Sequence, residues 1–561
     1  MFQDKVSSFA ISIISTIDRH RIVTTFLLTV AALTLADIAT QQLESVLGDT
    51  SATGVIAQAA ISLMDFAPEV WIGILALVLG TLVIVISIAS QSTPKLIDLY
   101  MRDWISLSYV WFISLTFIHN LILQFVVGGW VIGRTSSVVL STGVFLPLSG
   151  LLAFPYIFYI LGLTRPDYVI QRIHKDNLRQ IQVLTQPLMK RALANSRITA
   201  RHQVSLFGAL NQLDDLLEYL SFKEPKARII RAIGSATRMF VRLKKDIPAS
   251  FFKISAEARD DISFKTLVEQ IDSIEAARTL YSQKAFRVLG NAYQRFLELG
   301  DFDMSALCVV QISEIGKVAL EEDDKPLVEL TFVRFNTLLR FGIKHGTHNS
   351  EPRNLYNAIA QYGIFIRAAL HQERSEYVEQ GCGYLKIYGS EIYRISRSVP
   401  DFAILVDVVA AELKDILIAT AEAGASRELQ ERLLNLLLQL DSVPEFDKKE
   451  LQARTIIFDR VRIIQVSLAL FYLREDQQTF AQRIVSDILE DFEYLGAQPL
   501  RDAVGETTRS LELAGPTFWE DTDRGNQNIY YSPDTKLLPV FNSMFEDALA
   551  TLINSKNDPV S

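Results

Sequence analysis

A chain of 561 residues is long enough for two or three domains, and a hydrophobic share of 49% is too apolar for a wholly water-soluble one. Its two cysteines, Cys308 and Cys382, stand far apart without CxxC spacing, which argues against a disulfide framework or a zinc knuckle and suggests buried thiols. The formal charge of -9 is unevenly spread: between Arg165 and Lys245 sixteen Lys or Arg face six Asp or Glu, and the remainder beyond is acidic.

Residues 1–21 place Phe2, Val6, Phe9, Ile13 and Ile17 on one helical stripe ahead of Asp18-Arg19-His20-Arg21, the pattern of an amphipathic helix lying on a bilayer. A cleaved signal peptide is the competing reading, but Thr34-Leu35-Ala36 is a poor cleavage site. The apolar excess lies almost entirely before residue 164. It divides into four expected spans, about Ile22 to Thr40, Val70 to Ser90, Trp104 to Val127 and Ser141 to Leu163, which make residues 22–164 a transmembrane domain.

The loops orient these spans. The stretch from Asp37 to Glu69 has acids but no Lys or Arg, whereas Lys95 and Arg102 separate spans two and three. Arg134 alone is basic between spans three and four, against a dense basic cluster after Leu163, so both termini are expected in the cytoplasm. Trp71, Trp104 and Trp130 fall at expected interfaces. Within the spans, His119, Asn120 and Gln124 form a candidate intramembrane polar site in the outer half of span three. A neutral His119 bonded to a neighbouring helix is the plainer alternative. Pro147 and Pro155 are expected to kink span four.

The loop after span two carries Ser90, Gln91, Ser92, Thr93, Pro94, Lys95 and Leu96, then Tyr100-Met101-Arg102-Asp103. Ser92 or Thr93 can cap a short helix starting at Pro94, closed by Arg102 and Asp103 at the membrane face. This run resembles the signature of a bacterial inner-membrane family known as a domain of unknown function. That family has four N-terminal spans, this same loop, and an Ile/Phe/Tyr-rich fourth span, as in Tyr156-Ile157-Phe158-Tyr159-Ile160, running into a cytosolic helix. Over roughly residues 60–175, the resemblance implies a four-span topology in a prokaryotic inner membrane.

Residues 165–250 read as basic juxtamembrane helices. Arg172, Lys175 and Arg179 share one helix face, and Arg228, Arg231, Arg238, Arg242 and Lys245 line a second helix opposite the apolar stripe of Ile229, Ile233, Ala236, Phe240 and Leu243. Both stripes are candidates for contact with anionic membrane lipid. The alternative is a topology signal and solvated face, or pairing with the acidic C-terminal half. No nucleic-acid motif accompanies the charges.

Residues 251–495 follow the pattern of paired helices. Leu289-Gly290-Asn291-Ala292-Tyr293, followed by Gly300-Asp301-Phe302-Asp303 and Ala306, is similar to the tetratricopeptide pattern, and Leu468 to Ala481 echoes the same helix, turn and helix. Helices are expected at Leu327 to Gly342, Asn354 to His371, Tyr377 to Arg397, Phe402 to Glu422 and Arg427 to Leu440. Comparison of residue identities gives no fixed period, so the region reads as a helical-repeat-like solenoid or bundle. Residues 496–561 read as a looser segment ending in a helix from Leu537 to Ile553.

No phosphate-binding, dinucleotide, zinc-protease or nucleophile-elbow motif occurs, so neither a cofactor nor an enzymatic activity is expected. His345 and His348 read as part of a polar turn, and Glu321-Glu322-Asp323-Asp324 as a solvated connection. The expected fold class is all-α, a four-helix transmembrane domain followed by a cytosolic helical array. The expected role is a membrane-anchored platform for an unknown cytosolic protein; the alternative is an oligomeric channel or transporter with a cytosolic regulatory domain.

Overall fold

The computed structural model describes residues 21–47, 59, 62–64, 66–92, 103–127, 135–163, 165–440, 451–522 and 525–557. The expected surface helix before Arg21, most of the loop after span two, Trp130 and Arg134 lie outside them. Among the described residues the fold is all-α apart from one short antiparallel hairpin, β1 (Thr517–Thr522) with β2 (Gly525–Gln527). Two compact units emerge. One comprises Met1–Ala232, Ile247–Phe251 and Ser255–Ala258; the other comprises Ile233–Asp246, Phe252–Ile254 and Arg259–Ser561.

In the first unit, four helices are long and apolar enough to cross a membrane. They are α1 (Arg21–Leu47), α2 (Ala67–Ser92), α3 (Trp104–Val127) and α4, a run of Thr135–Val138, Val139–Phe145 and Leu146–Leu163. A helix satisfies its own backbone groups, which lipid cannot do. Phe125, Leu151 and Phe158 are 80%, 72% and 71% exposed, so the outer surface is one that only hydrocarbon would wet well. The interior packs Val78, Tyr109, Ile113, Phe145, Tyr156 and Ile160 together. Trp71, expected at an interface, is fully buried in this core.

The fourth span starts at Thr135, not Ser141, and its middle piece is a π-helix. The Leu146 N–H donates to the Ser141 carbonyl, one residue further back than in an α-helix. Pro147 explains the widening, because its ring lacks an N–H and would strike the carbonyl four residues earlier. Pro155 sits inside the α-helical piece. Beyond Leu163 the chain re-enters a helix at once as α5 (Pro166–Val183), with proline in its first turn. Then come α6 (Pro187–Ala192), α7 (Ser196–Tyr219) and α8 (Lys223–Leu243), the last of which runs from the first unit into the second.

The second unit is built from α9 (Leu280–Glu298), α10 (Phe302–Glu321), α11 (Lys325–Asn349), α12 (Arg353–His371), α13 (Ser375–Ser396), α14 (Ala403–Glu422), α15 (Arg427–Leu438), α16 (Leu451–Arg474) and α17 (Gln478–Glu490). Consecutive helices pack together from α9 to α15 and again from α16 to α17, and so do alternate ones: α10 on α12, α12 on α14 and α14 on α16 form one layer, while α9, α11, α13, α15 and α17 form another. This is the two-layer stacking of a solenoid. The layers approach closely where side chains vanish. A Cβ on Gly316 would lie 2.6 Å from Thr331 Cγ2 and 2.7 Å from Phe365 Cε2.

A period also emerges that residue identities conceal. Asp323, Glu373, Gly424 and Asp476, spaced 50 to 52 residues apart, each take a left-handed conformation after a helix of the first layer. The next N–H then reaches back to a carbonyl five residues earlier, Asp324 to Ala319, Arg374 to Ala369, Ala425 to Thr420 and Gln477 to Tyr472, at 2.8 to 3.1 Å. That closure caps a helix whatever the residue, although only glycine adopts it without steric cost. The repeating unit is therefore a hairpin of about fifty residues, longer than the 34 of a tetratricopeptide unit. Gly300 makes the same closure in the turn from α9 to α10, with the Asp301 N–H bonded to the Phe296 carbonyl.

The chain ends with α18 (Ala497–Leu513) packed on α16, and α19 (Leu538–Asn557) packed on α17 and α16. Between them an extended stretch lies on α14, where Tyr530 donates to Asp407 at 2.7 Å and Lys414 donates to the Ile529 carbonyl at 3.3 Å. Burial pushes the Asp407 carboxyl up to about 7, although the Tyr530 hydroxyl and Arg460 both act to lower it.

The close approach at Gly316 has a measurable consequence. Gly316→Ala overlaps two side chains and is expected to cost about 1–3 kcal/mol, whereas Gly290→Ala, with nothing within 4 Å of its Cβ, is expected to gain up to about 1 kcal/mol of helix propensity. Thermal unfolding followed by circular dichroism tests the contrast, and shifts of the same sign in both variants would contradict the packing described.

Candidate functional site

Two polar clusters interrupt the apolar transmembrane bundle. The first lies where α3 begins. Asp103 is the N-cap of α3: its Oδ2 accepts from the Ser106 N–H at 2.9 Å and from the Ser106 hydroxyl at 2.8 Å. Its other oxygen, Oδ1, accepts from Arg172 Nη2 at 2.7 Å and from the Tyr159 hydroxyl at 2.9 Å. Arg172 also donates to the Tyr159 oxygen at 3.3 Å. The carboxylate side chain is only 2% exposed. Burial by itself would raise the Asp103 value, but the bonds from Arg172, Ser106 and Tyr159 outweigh it and hold the carboxyl below its usual range. Asp103 therefore opens the third span, and the short helix expected from Pro94 lies outside the described residues.

This cluster joins two residues that the sequence assigns to separate roles. Arg172, grouped with lipid-facing cations, spends its guanidinium on Asp103, so only its neighbours Lys175 and Arg179 remain exposed on α5. Ser90 and Gln91 end α2, and Pro94, Lys95 and Arg102 lie outside the described residues.

The second basic stripe is largely paired within the chain. Arg228 bridges to Asp167 at 3.1 Å and to Glu224 at 3.2 Å, and Arg231 is exposed. Arg238 donates to Gln311 at 3.0 Å. Arg242 lies 3.8 Å from Glu321, Lys245 3.1 Å from Glu322, and Lys244 2.6 Å from Asp324, while Arg374 reaches Asp323 at 2.6 Å. The acidic run Glu321 to Asp324 is thus a set of ion-pair partners and not a merely solvated connection. A charge run read in isolation does not reveal which cations fold against it.

The second cluster lies deeper in the bundle. His119 Nε2 is 3.8 Å from Asp37 Oδ1, with the two side chains 24% and 17% exposed. Gln41 Nε2 donates to Asp37 Oδ2 at 3.2 Å and lies 3.3 Å from Ser137 Oγ. From the π-helical turn, Ser141 donates to Asn120 Oδ1 at 3.2 Å, and Asn120 is fully buried. Gln124 is half-buried one turn further along α3. The sequence puts Asp37 near the end of the first expected span and weighs it among the acids that orient the loop; α1 continues to Leu47, and Asp37 and Gln41 meet α3 and α4. Asp37 and His119 each lie about 22 Å along their helices from Ile22 and Trp104, at 1.5 Å per residue, and this equal depth was the signal available in the sequence.

Elsewhere, chemistry is sparse. His345 and His348 lie within α11 and not in a turn; Gly346 between them is a close-packing position, since a Cβ there would meet Phe402 at 3.0 Å. Among the described residues, no group of three His, Cys, Asp or Glu side chains could hold a metal ion. Cys308 and Cys382 are buried free thiols whose ionisation burial suppresses. The remaining buried charges hold the array: Lys284 of α9 meets Asp261, just ahead of the short helix Ile262–Lys265, at 2.6 Å, Arg367 meets Glu412 at 2.8 Å, and Arg462 meets both Asp487 and Asp491 at 2.6 Å. No protein-family model matches the chain, and no curated protein does either.

Because Arg172 neutralises a buried acid, Arg172→Ala is expected to destabilise the first unit by about 3 kcal/mol, at the low end for a buried pair because the guanidinium is partly solvated. Arg172→Leu combined with Asp103→Asn is expected to recover much of that loss. Since the Asp103 value is lowered on folding, the stabilisation is complete above about pH 4 and is lost as the pH falls through the lowered value. Denaturant unfolding of the full chain in detergent at several pH values measures both effects. Equal stability of wild type and Arg172→Ala would contradict the pairing.

Proposed function

We propose that the chain is a multi-pass protein of a bacterial inner membrane, with both termini in the cytoplasm, whose helical array is a non-catalytic docking platform for a cytosolic protein. One observation carries the reading: the second-layer helices α11 and α13 leave Val333, Phe341 and Ile387 exposed to water at 55%, 39% and 58%. Val333 and Phe341 lie about two turns apart on α11, and Ile387 is on α13, which packs beside it and whose Tyr388 donates to the Asn336 carbonyl of α11 at 3.0 Å. Large apolar side chains gathered on neighbouring solvated helices suit a protein interface better than a solvent boundary. Lys175, Arg179 and Arg231 supply exposed cations for anionic headgroups, each worth about 1 kcal/mol near a charged bilayer.

A second reading, an oligomeric channel or transporter with a path along α3, draws on a different observation. Asp37 adds an acid to His119, Asn120 and Gln124 inside the spans, where ionisable side chains are costly and mark functional positions.

The platform reading is tested by placing a photo-activated cross-linking residue at position 387 of the full chain in native membranes. A discrete protein adduct that weakens in Val333→Glu is expected. Absence of any protein adduct, with Val333→Glu as stable as wild type, would count against a docking role.

A further inference from the structure

We infer that Asp37 and His119 form a proton-binding site in the outer third of the transmembrane bundle, in which a single proton is shared between a carboxylate and an imidazole. Within the apolar stretches Ile22–Gln42, Ala67–Val85, Trp104–Phe125 and Ser136–Gly162, these two are the only Asp, Glu, Lys, Arg or His residues apart from Glu69 in the exposed first turn of α2. They approach to 3.8 Å, beyond direct hydrogen bonding but within ion-pair range. Holding one proton, the pair is neutral overall, either as acid and imidazole or as carboxylate and imidazolium. Losing that proton leaves a bare anion in low dielectric and gaining a second leaves a bare cation, and both are costly there.

The surroundings bear on this pair from every packed element. On α1, Gln41 donates to Asp37 Oδ2, which leaves Oδ1 as the oxygen turned to the imidazole, and Oδ1 is buried without a hydrogen bond. On α3, Asn120 takes its bond from Ser141, and His119 lies edge-on to Phe145 at 6.5 Å. On α4, Ser137 and Ser141 are polar but uncharged, and α2 carries no ionisable side chain from Val70 to Ser92. Among the described residues no Lys or Arg is paired with the carboxylate, and the imidazole of His119 is the ionisable group within ion-pair range of it. The π-helical turn that presents Ser141 is the kind of distortion that accompanies functional sites.

Proton binding stands on this geometry, while any movement of the proton across the membrane rests on the transport reading. The two are separated by measuring the full chain in liposomes in two ways. Infrared titration is expected to show a protonated carboxyl band that is absent in Asp37→Asn, retained in Asp37→Glu, and shifted in its pH dependence in His119→Gln. Proton uptake driven by a potassium diffusion potential is expected in wild type and reduced to background in Asp37→Asn and His119→Gln. A titrating band without proton uptake would support the binding site and overturn the transport reading. An Asp37-dependent band absent at every pH, or unchanged by His119→Gln, would overturn the binding site itself.

Discussion

A carboxylate almost cut off from water stands at the head of the third span, and the cation that neutralises it comes from beyond the fourth. Asp103 caps α3 through Ser106 and meets Arg172 of α5 at 2.7 Å, with Tyr159 of α4 bonded to both. Three helices that sequence separates are held to one point. The cap leaves Oδ1 of the carboxylate open, and a guanidinium with its planar donors fits that oxygen and the phenol together. Removal of either partner leaves a buried charge or an unsatisfied cap, which is why the start of α3 and the exit of the chain from the bundle depend on each other.

The same rule, that polar groups in an apolar medium must find partners, accounts for the rest of the transmembrane unit. Pro147 forces a π-turn in α4, and the turned backbone offers Ser141 to Asn120. Asp37, Gln41 and Ser137 complete a second polar patch at a depth where lipid supplies no hydrogen bonds. In the helical array the demand is steric instead. Gly316 and Gly346 remove side chains where helices nearly touch, and four left-handed turns set a hairpin repeat of 50 to 52 residues.

Much of the architecture was legible in the sequence, because hydrophobic length and 3.6-residue periodicity are local properties. The third span begins and ends at the expected Trp104 and Val127, and α12 ends at the expected His371. Long-range partnership was not legible. Asp37 fell inside the expected first span but was weighed only as a topology acid, because nothing local shows that His119 lies beside it, and Arg172 looked like a lipid contact because Asp103 lies 69 residues away. His345 and His348 flank a glycine that mimics a turn signal but serves helix packing. The hairpin period escaped notice because Asp, Glu and Gly share one backbone conformation without sharing a side chain.

The proposed topology puts Asp103 and Arg172 on the cytosolic face of a bundle crossed four times. Topology reporters fused after Leu47, after Lys175 and at Ser561 in living cells test it most directly. The account predicts cytosolic signals at Lys175 and Ser561 and an external signal at Leu47; a Lys175 fusion reporting from the same side as Leu47 would contradict it.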